Sequence, residues 1–189
     1  RGTASSRCPC ARTRRSASTT PPSRAGSTLG AIDSGLRPSR AANDSLYIGI
    51  GKVWEALIIG TAASVWGDIP YREAADSTRE TPAFDSQLQV YQDALTQLDS
   101  AITVYLAATP GGINAGPPAD NAELIYAGLS AAQLAAVYTE VAHSLKARFH
   151  MHLAEVDPAN YALALAEVPI GISTPANDML WFHNATPTG

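Results

Sequence analysis

The chain has 189 residues, 46% of them hydrophobic, and a formal net charge of −4, which suits one globular domain, or a large part of one, with a real core. The charge is uneven: the first forty residues hold eight of the thirteen basic side chains and one acid, and the remainder holds five basic and sixteen acidic ones. An acidic body repels phosphate backbones, which excludes nucleic-acid binding by the domain itself.

Residues 1–40 read as a disordered basic tail. They are dominated by Arg, Ser, Thr, Pro, Ala and Gly and offer too little apolar surface to offset chain entropy. No aromatic residue is interleaved there to stack on bases, so an RNA-binding arm lacks its platform. Cys8-Pro9-Cys10 supplies two thiols where a structural zinc needs four ligands, so no metal site or disulfide framework is expected. Within Arg1 to Gly30 there is no apolar run of the roughly 7–15 residues that a secretion signal carries. The longest apolar stretch, Val53 to Trp66, contains Glu55 and is shorter than the ~20 residues of a membrane-spanning helix.

From residue 43 onward the periodicity is helical, and the expected fold is all-α: a helical array with tetratricopeptide-like αα-hairpins over residues 41–189. The first helix carries Leu46, Ile50, Val53, Leu57, Thr61 and Val65 at spacings of three and four, widened by Tyr47, Trp54 and Ile58. Asn43 or Asp44 caps its start. Gly49, Gly51 and Gly60 each weaken it by up to ~1 kcal/mol relative to Ala, so packing or a close neighbour has to hold it. Trp66 closes the pattern, Gly67 suits the reversed C-terminal turn, and Pro70 forces Ile69 out of helix.

A second helix follows on the ladder Leu88, Tyr91, Leu95, Leu98, Ile102 and Tyr105, opened by Ser86 with Gln89 in a capping box. The Gly/Pro-rich run from Thr109 to Asn121 is a loop. Ser130 with Gln133 opens a third helix, whose stripe is Leu134, Tyr138, Val141, Leu145, Phe149 and Leu153. Burying six such side chains contributes on the order of 10–15 kcal/mol before entropy opposes it. Asp157-Pro158 separates it from a fourth helix with Tyr161, Leu165 and Val168 on its face, and the short link makes the two an αα-hairpin.

Chemistry is sparse along these helices. Glu140 and His143 form one E-x-x-H pair, half of what a di-iron bundle needs, and His150 and His152 point to different sides of their helix. Ser144 follows His143 directly, which points the two side chains about 100° apart, and no strand-to-helix elbow surrounds it. No catalytic residue, metal site or cofactor is therefore expected. Lys146 and Arg148 interrupt an apolar helix, as a solvated edge, as a salt bridge to a carboxylate such as Glu140 or Asp93, or as a buried anchor that ties the third helix to a neighbour. Trp181, Phe182, His183 and Asn184 form either a plug over the core or a platform on which a sugar ring stacks while Asn and His bond its hydroxyls.

Several motifs agree in order and spacing with one family. Trp66-Gly67-Asp68-Ile69-Pro70-Tyr71-Arg72-Glu73-Ala74, then Thr81-Pro82-Ala83-Phe84-Asp85-Ser86-Gln87, then Val90-Tyr91, and finally Ala142-His143-Ser144-Leu145-Lys146-Ala147-Arg148 resemble the SusD/RagB family of nutrient-binding outer-membrane lipoproteins. His143 stands where that family usually has Asn. The likeness runs over residues 31–189 and implies a non-catalytic protein that captures oligosaccharides or other nutrients at the outer-membrane surface. Its implied partner is a SusC-like TonB-dependent transporter, and its implied attachment is a lipid anchor that this sequence does not display. The residues before Cys8 depart from a lipid-attachment signal, and the family's C-terminal portion lies beyond Gly189, so a partial chain is expected. Within the resemblance Trp66, Gly67, Asp68, Pro70 and Tyr71 form a rigid corner, with Trp66 anchoring the helix end and Asp68 accepting from backbone N–H groups. A helical-repeat scaffold for protein partners is the alternative.

Overall fold

A computed structural model describes residues 44–76, 78–108, 125–126 and 128–180. Among the described residues four α-helices follow one another: α1 (Ser45–Trp66), α2 (Gln87–Ser100), α3 (Ala131–Leu153) and α4 (Asn160–Glu167). α2 runs on into a π-helical turn, Ala101–Leu106, and α4 into a 3-10 turn, Val168–Ile170. An antiparallel bridge joins Ile69 and Asp85. The predicted Thr109 to Asn121 loop and the 1–40 tail lie outside the described residues.

The caps form where short polar residues precede the apolar runs. Asp44, itself buried, accepts the Tyr47 N–H at 3.1 Å, and Ser86 accepts that of Gln89 at 3.3 Å. Ser130 and Gln133 complete a reciprocal box, so two otherwise orphaned N–H groups at the start of α3 are satisfied. At α4 the expected start shifts by two residues. Asp157 receives the Ala159 N–H on its carboxylate and the Asn160 N–H on its carbonyl, capping a lead-in turn, and the helix proper starts at Asn160.

Contacts across the array fix its direction. Gln87 reaches Ala63, Tyr91 reaches Ser64, and Lys52 reaches Gln97 at 2.6 Å, so α1 and α2 are antiparallel. Tyr91 lies against Phe149 and His152 while Asp99 meets Lys146, so α2 and α3 are antiparallel as well. His150 with Asn160 and His143 with Glu167 set α4 antiparallel to α3. The result is an up-down-up-down array in which α3 touches all three other helices. Its predicted stripe, Leu134 to Leu153, is buried throughout.

The buried seams of α1 and α2 differ from those read off the large residues. α1 buries Leu46, Ile50 and Val53 of the predicted stripe together with Ile48, Gly49, Ala56, Ile59, Gly60 and Ala63, whereas Val65 is exposed and Leu57 and Thr61 lie on the flank. Small residues form much of this seam because the neighbours come close. A Cβ on Gly60 would lie 2.2 Å from the Phe149 ring, and one on Gly49 would lie 2.7 Å from Leu106. On α2 the inward residues are Val90, Tyr91, Ala94 and Leu98, continued by Ala101, and Leu88 is exposed. On α4 only Ala164 is buried, while Tyr161, Leu165 and Val168 face outward.

α1 has 22 residues and contains an 18-residue window with a mean hydropathy of 1.4, so it is long and apolar enough to cross a membrane by length and composition, its apolar character extending N-terminal to Val53. The shortness expected from Val53 to Trp66 therefore does not hold. The packing is what distinguishes it from a lipid-facing rod: its inner face is covered by α2 and α3, and Lys52 and Glu55 are bonded to Gln97 and Tyr71.

Helix propensity alone predicts that Gly60→Ala gains up to ~1 kcal/mol. The Phe149 contact reverses the sign, and urea denaturation is expected to show a loss of about 1–3 kcal/mol from overpacking. A stabilised variant would contradict the close α1–α3 approach.

Candidate functional site

The loop between α1 and α2 is a corner tied together by its own motif residues. Gly67 takes φ +76° and its N–H returns to the Ala63 carbonyl at 3.0 Å, a conformation that side-chain-bearing residues rarely adopt. The Gln87 side-chain amide donates to the same carbonyl at 2.8 Å. Asp68 accepts the Gln87 N–H at 2.9 Å, as expected of it. Ile69 and Asp85 exchange two backbone bonds of 3.1 and 2.9 Å, and past Pro70 the Asp85 carboxylate receives the N–H groups of both Tyr71 and Arg72. The two sequence motifs are thus halves of one structure, the second supplying the acceptors that the first needs.

Longer ties carry the corner onto the helices. The Tyr71 hydroxyl donates to Glu55 of α1 at 2.8 Å. Burial, and then the neighbouring Glu55 carboxylate, push this phenol far above its ordinary value, so it remains a donor at any physiological pH. Arg72 grips Asp93 of α2 through two bonds of 2.9 Å each, a planar fork on a planar carboxylate. Glu73 accepts the Ala83 N–H and pairs with Arg79.

Trp66 departs from its expected role. It is 73% exposed and anchors nothing. It lies about one helical turn beyond Ala63, past the point where antiparallel α2 begins. Leu88, at the start of α2, and Phe84 are exposed at the same end.

A second polar cluster lies where α2, α3 and α4 meet. The Lys146 ammonium is 2.8 Å from Asp99 and 2.5 Å from Glu167, and Glu167 also bonds His143 Nδ1. Lys146 is therefore both salt-bridged and an anchor between helices, but its carboxylates are Asp99 and Glu167 and not Glu140 or Asp93. Asp93 is held by Arg72, and Glu140 accepts from Asn177. Burial works to lower the Lys146 pKa, but the hydrogen bonds to Asp99 and Glu167 outweigh it and raise it. Burial likewise works to raise Glu167, but Lys146 and His143 outweigh it and hold the carboxyl below its usual range.

Ser144 completes the fastening. It donates to the Glu140 carbonyl and receives the Ile172 N–H at 2.9 Å, pinning the chain after α4 to α3. Gly171 admits this approach, because a Cβ there would sit 2.7 Å from the Ser144 hydroxyl. His150 bonds Asn160 and His152 stacks on Tyr91, so the two act apart as their spacing requires. Among the described residues no group of three or more His, Cys, Asp and Glu side chains could hold a metal ion.

Trp181, Phe182, His183 and Asn184 lie outside the described residues. A cavity of about 440 Å³ opens between α3 and α4, lined by Ala147, Met151, Tyr161, Ala164, Leu165 and Val168 with Arg148 beside them. Its walls are almost wholly apolar, a poor match to a ligand made of hydroxyls, which calls for convergent polar groups. Sequence reasoning missed it because the α4 stripe reads as core.

The described residues thus form an all-helical array with a cross-tied corner. The family described as starch-binding, associating with the outer membrane, matches residues 29–187, and the chain belongs to this SusD-like family. A solved SusD homologue from Bacteroides uniformis ATCC 8492 shares its fold at a TM-score of 0.70 and 24% identity, over 85% of this chain and 32% of that one. The chain thus spans about a third of that relative's length. No curated protein matches it.

Two measurements test this geometry. Trp66→Ala is expected to cost at most ~0.5 kcal/mol of stability, as an exposed side chain does, whereas Phe149→Ala costs about 3–5 kcal/mol. Glu167, whose folded pKa is depressed, stabilises above its unfolded value near ~4.3 and loses that contribution as pH falls through the lower folded value. The stability difference between wild type and Glu167→Gln, followed by urea denaturation, is therefore expected near neutrality and to vanish in acid. A difference independent of pH would contradict the cluster.

Proposed function

We propose that this chain is the helical frame of a surface nutrient-binding protein that captures starch-like or other oligosaccharides and presents them to a SusC-like TonB-dependent transporter, without catalysis of its own. The observation that carries this reading is the match to the starch-binding, outer-membrane-associated family over nearly the whole chain. The cross-tied corner supports it, because Asp68, Asp85 and Gln87 of the motifs that mark the resemblance are engaged in bracing the turn. Attachment to the membrane through a lipid anchor belongs to the same reading.

The sugar-contacting surface is assigned to Trp181, Phe182, His183 and Asn184. An aromatic pair stacks on the apolar face of a pyranose, and the amide and imidazole bond its hydroxyls. A scaffold for protein partners is the second reading, favoured by the outward apolar face of α4.

The test is retention of the full-length protein on starch and a panel of other polysaccharides by affinity electrophoresis. Wild type is expected to be retarded by at least one glycan, and Trp181→Ala with Phe182→Ala to weaken retention about tenfold or more, equivalent to ~1.4 kcal/mol, with an unchanged melting temperature. A collapse of that melting temperature would mark the cluster as a plug. Absence of retention on every glycan would remove the carbohydrate reading.

A further inference from the structure

The chain beyond α4 is fastened twice, and the second fastening is not needed to hold α4. The first joins the Ile172 N–H to the Ser144 hydroxyl at 2.9 Å and already closes the end of α4 onto α3. The second falls on a 3-10 turn, Pro175–Asn177, whose first φ is fixed by the proline ring. Asn177 is gripped there from two sides: its carbonyl accepts the Tyr126 hydroxyl at 2.8 Å, and its side-chain amide donates to the Glu140 carboxylate at 2.9 Å. Tyr126 is itself buried and meets the Tyr138 ring of α3 edge-on, with centroids 5.5 Å apart.

This clip joins three segments: the approach to α3, α3 itself and the chain past α4. The apolar contribution of the fastened segment is small, since Ile172 and Met179 rest against the core while Asn177 brings no apolar side chain to bury. From Ser144 to Glu140 the attachment also steps one turn back toward the start of α3, so the chain is steered along that helix as well as held to it. Trp181 stands four positions beyond Asn177. We propose that the Tyr126–Asn177–Glu140 clip positions the sugar-contacting surface, by setting the point and direction at which the chain enters Trp181-Phe182-His183-Asn184. Resting on the assignment of those four residues made above, it makes Tyr126, Asn177 and Glu140 positioning residues that touch no sugar themselves.

The physical need is preorganisation. A stacking platform on a loose loop has to be ordered at each encounter, and fixing the backbone of one loop residue opposes binding by about tenfold in affinity. A loop fixed in advance avoids that loss. Two bonds to one residue serve this better than one, because a backbone tie and a side-chain tie on opposite sides stop the turn from swivelling as well as from lifting off α3.

The experiment uses the full-length protein and whichever polysaccharide, starch or another of the panel above, retards wild type most in affinity gels; retardation at several glycan concentrations gives the dissociation constant. Tyr126→Phe and Asn177→Ala are each expected to raise that constant about tenfold. The melting temperature is expected to fall by at most about 4 °C, as loss of one hydrogen bond makes it do. Glu140→Ala is expected to behave like Asn177→Ala, whereas Glu140→Gln, whose amide carbonyl still accepts from Asn177, stays within about threefold of wild type. Coupling supplies the readout that a purely structural role would not move: in the background of Trp181→Ala with Phe182→Ala, Tyr126→Phe is expected to add no further weakening, because the surface it positions is gone.

If Tyr126→Phe and Asn177→Ala both bind within about threefold of wild type while Trp181→Ala with Phe182→Ala remains impaired, the positioning role is overturned and the sugar-contacting surface stands. Equal weakening by Tyr126→Phe in both backgrounds also overturns it, since the clip then acts on the fold at large. Should Asn177→Ala lower the melting temperature further than expected, Tyr126→Phe, which removes a single oxygen, decides the outcome. If Trp181→Ala with Phe182→Ala binds like wild type, or wild type binds no polysaccharide, the surface assigned above fails and the positioning role fails with it.

Discussion

The position of the Phe149 ring over Gly60 sets the spacing of the whole array. The ring occupies the space that a side chain at position 60 would fill, so at this point α3 lies against the backbone of α1. With those two helices so close, α2 closes the third side, and Tyr91 meets both Phe149 and His152 while bonding Ser64 of α1. Leu106 repeats the device at Gly49, with the π-helical turn lowering it onto α1. Close packing of this kind gains dispersion contacts that a looser helix pair forfeits, and it offsets the poor intrinsic helix propensity of the glycines that permit it.

Where that core ends, polar contacts take over. α4 has eight residues and buries only Ala164, too little for such a short helix to persist alone. It is held by tacks along its length: Asn160 to His150 at its start, Glu167 to Lys146 and His143 at its end, and Ile172 to Ser144 just beyond. Because these tacks suffice, its apolar face is left outward over the α3–α4 cavity. The corner before α2 follows the same logic, with hydrogen bonds fixing a segment that contributes few side chains to the core.

Both polar systems are inward-looking, which bears on what the molecule does. Asp68, Asp85, Gln87, Ser144 and Lys146 carry the chemistry that a motif search notices, and all are engaged in holding helices and turns together. A frame organised this way is suited to holding surfaces at fixed positions. Trp66 is the exception within its motif, since its neighbours are used to brace the turn while it projects from the end of the hairpin.

Local chemistry determined the helices themselves. Asp44, Ser86 and Ser130 each precede an apolar run and cap it, the α3 stripe from Leu134 to Leu153 is buried as its period demands, and the ordered motifs pointed to the family without any coordinates. These features depend on residues three or four apart, and a sequence displays such neighbours directly. What tertiary structure alone decided is which side of each helix is covered. Large residues such as Val65, Leu88 and Leu165 looked like core, but burial depends on the reach of the next element, and α1 packs instead through Gly49, Ala56, Gly60 and Ala63, whose small size is informative only once Phe149 and Leu106 are in place. The pairings of Asp85 with the Tyr71 and Arg72 N–H groups, and of Lys146 with Asp99 and Glu167, were equally hidden, because they join positions that the chain brings together only by folding back on itself.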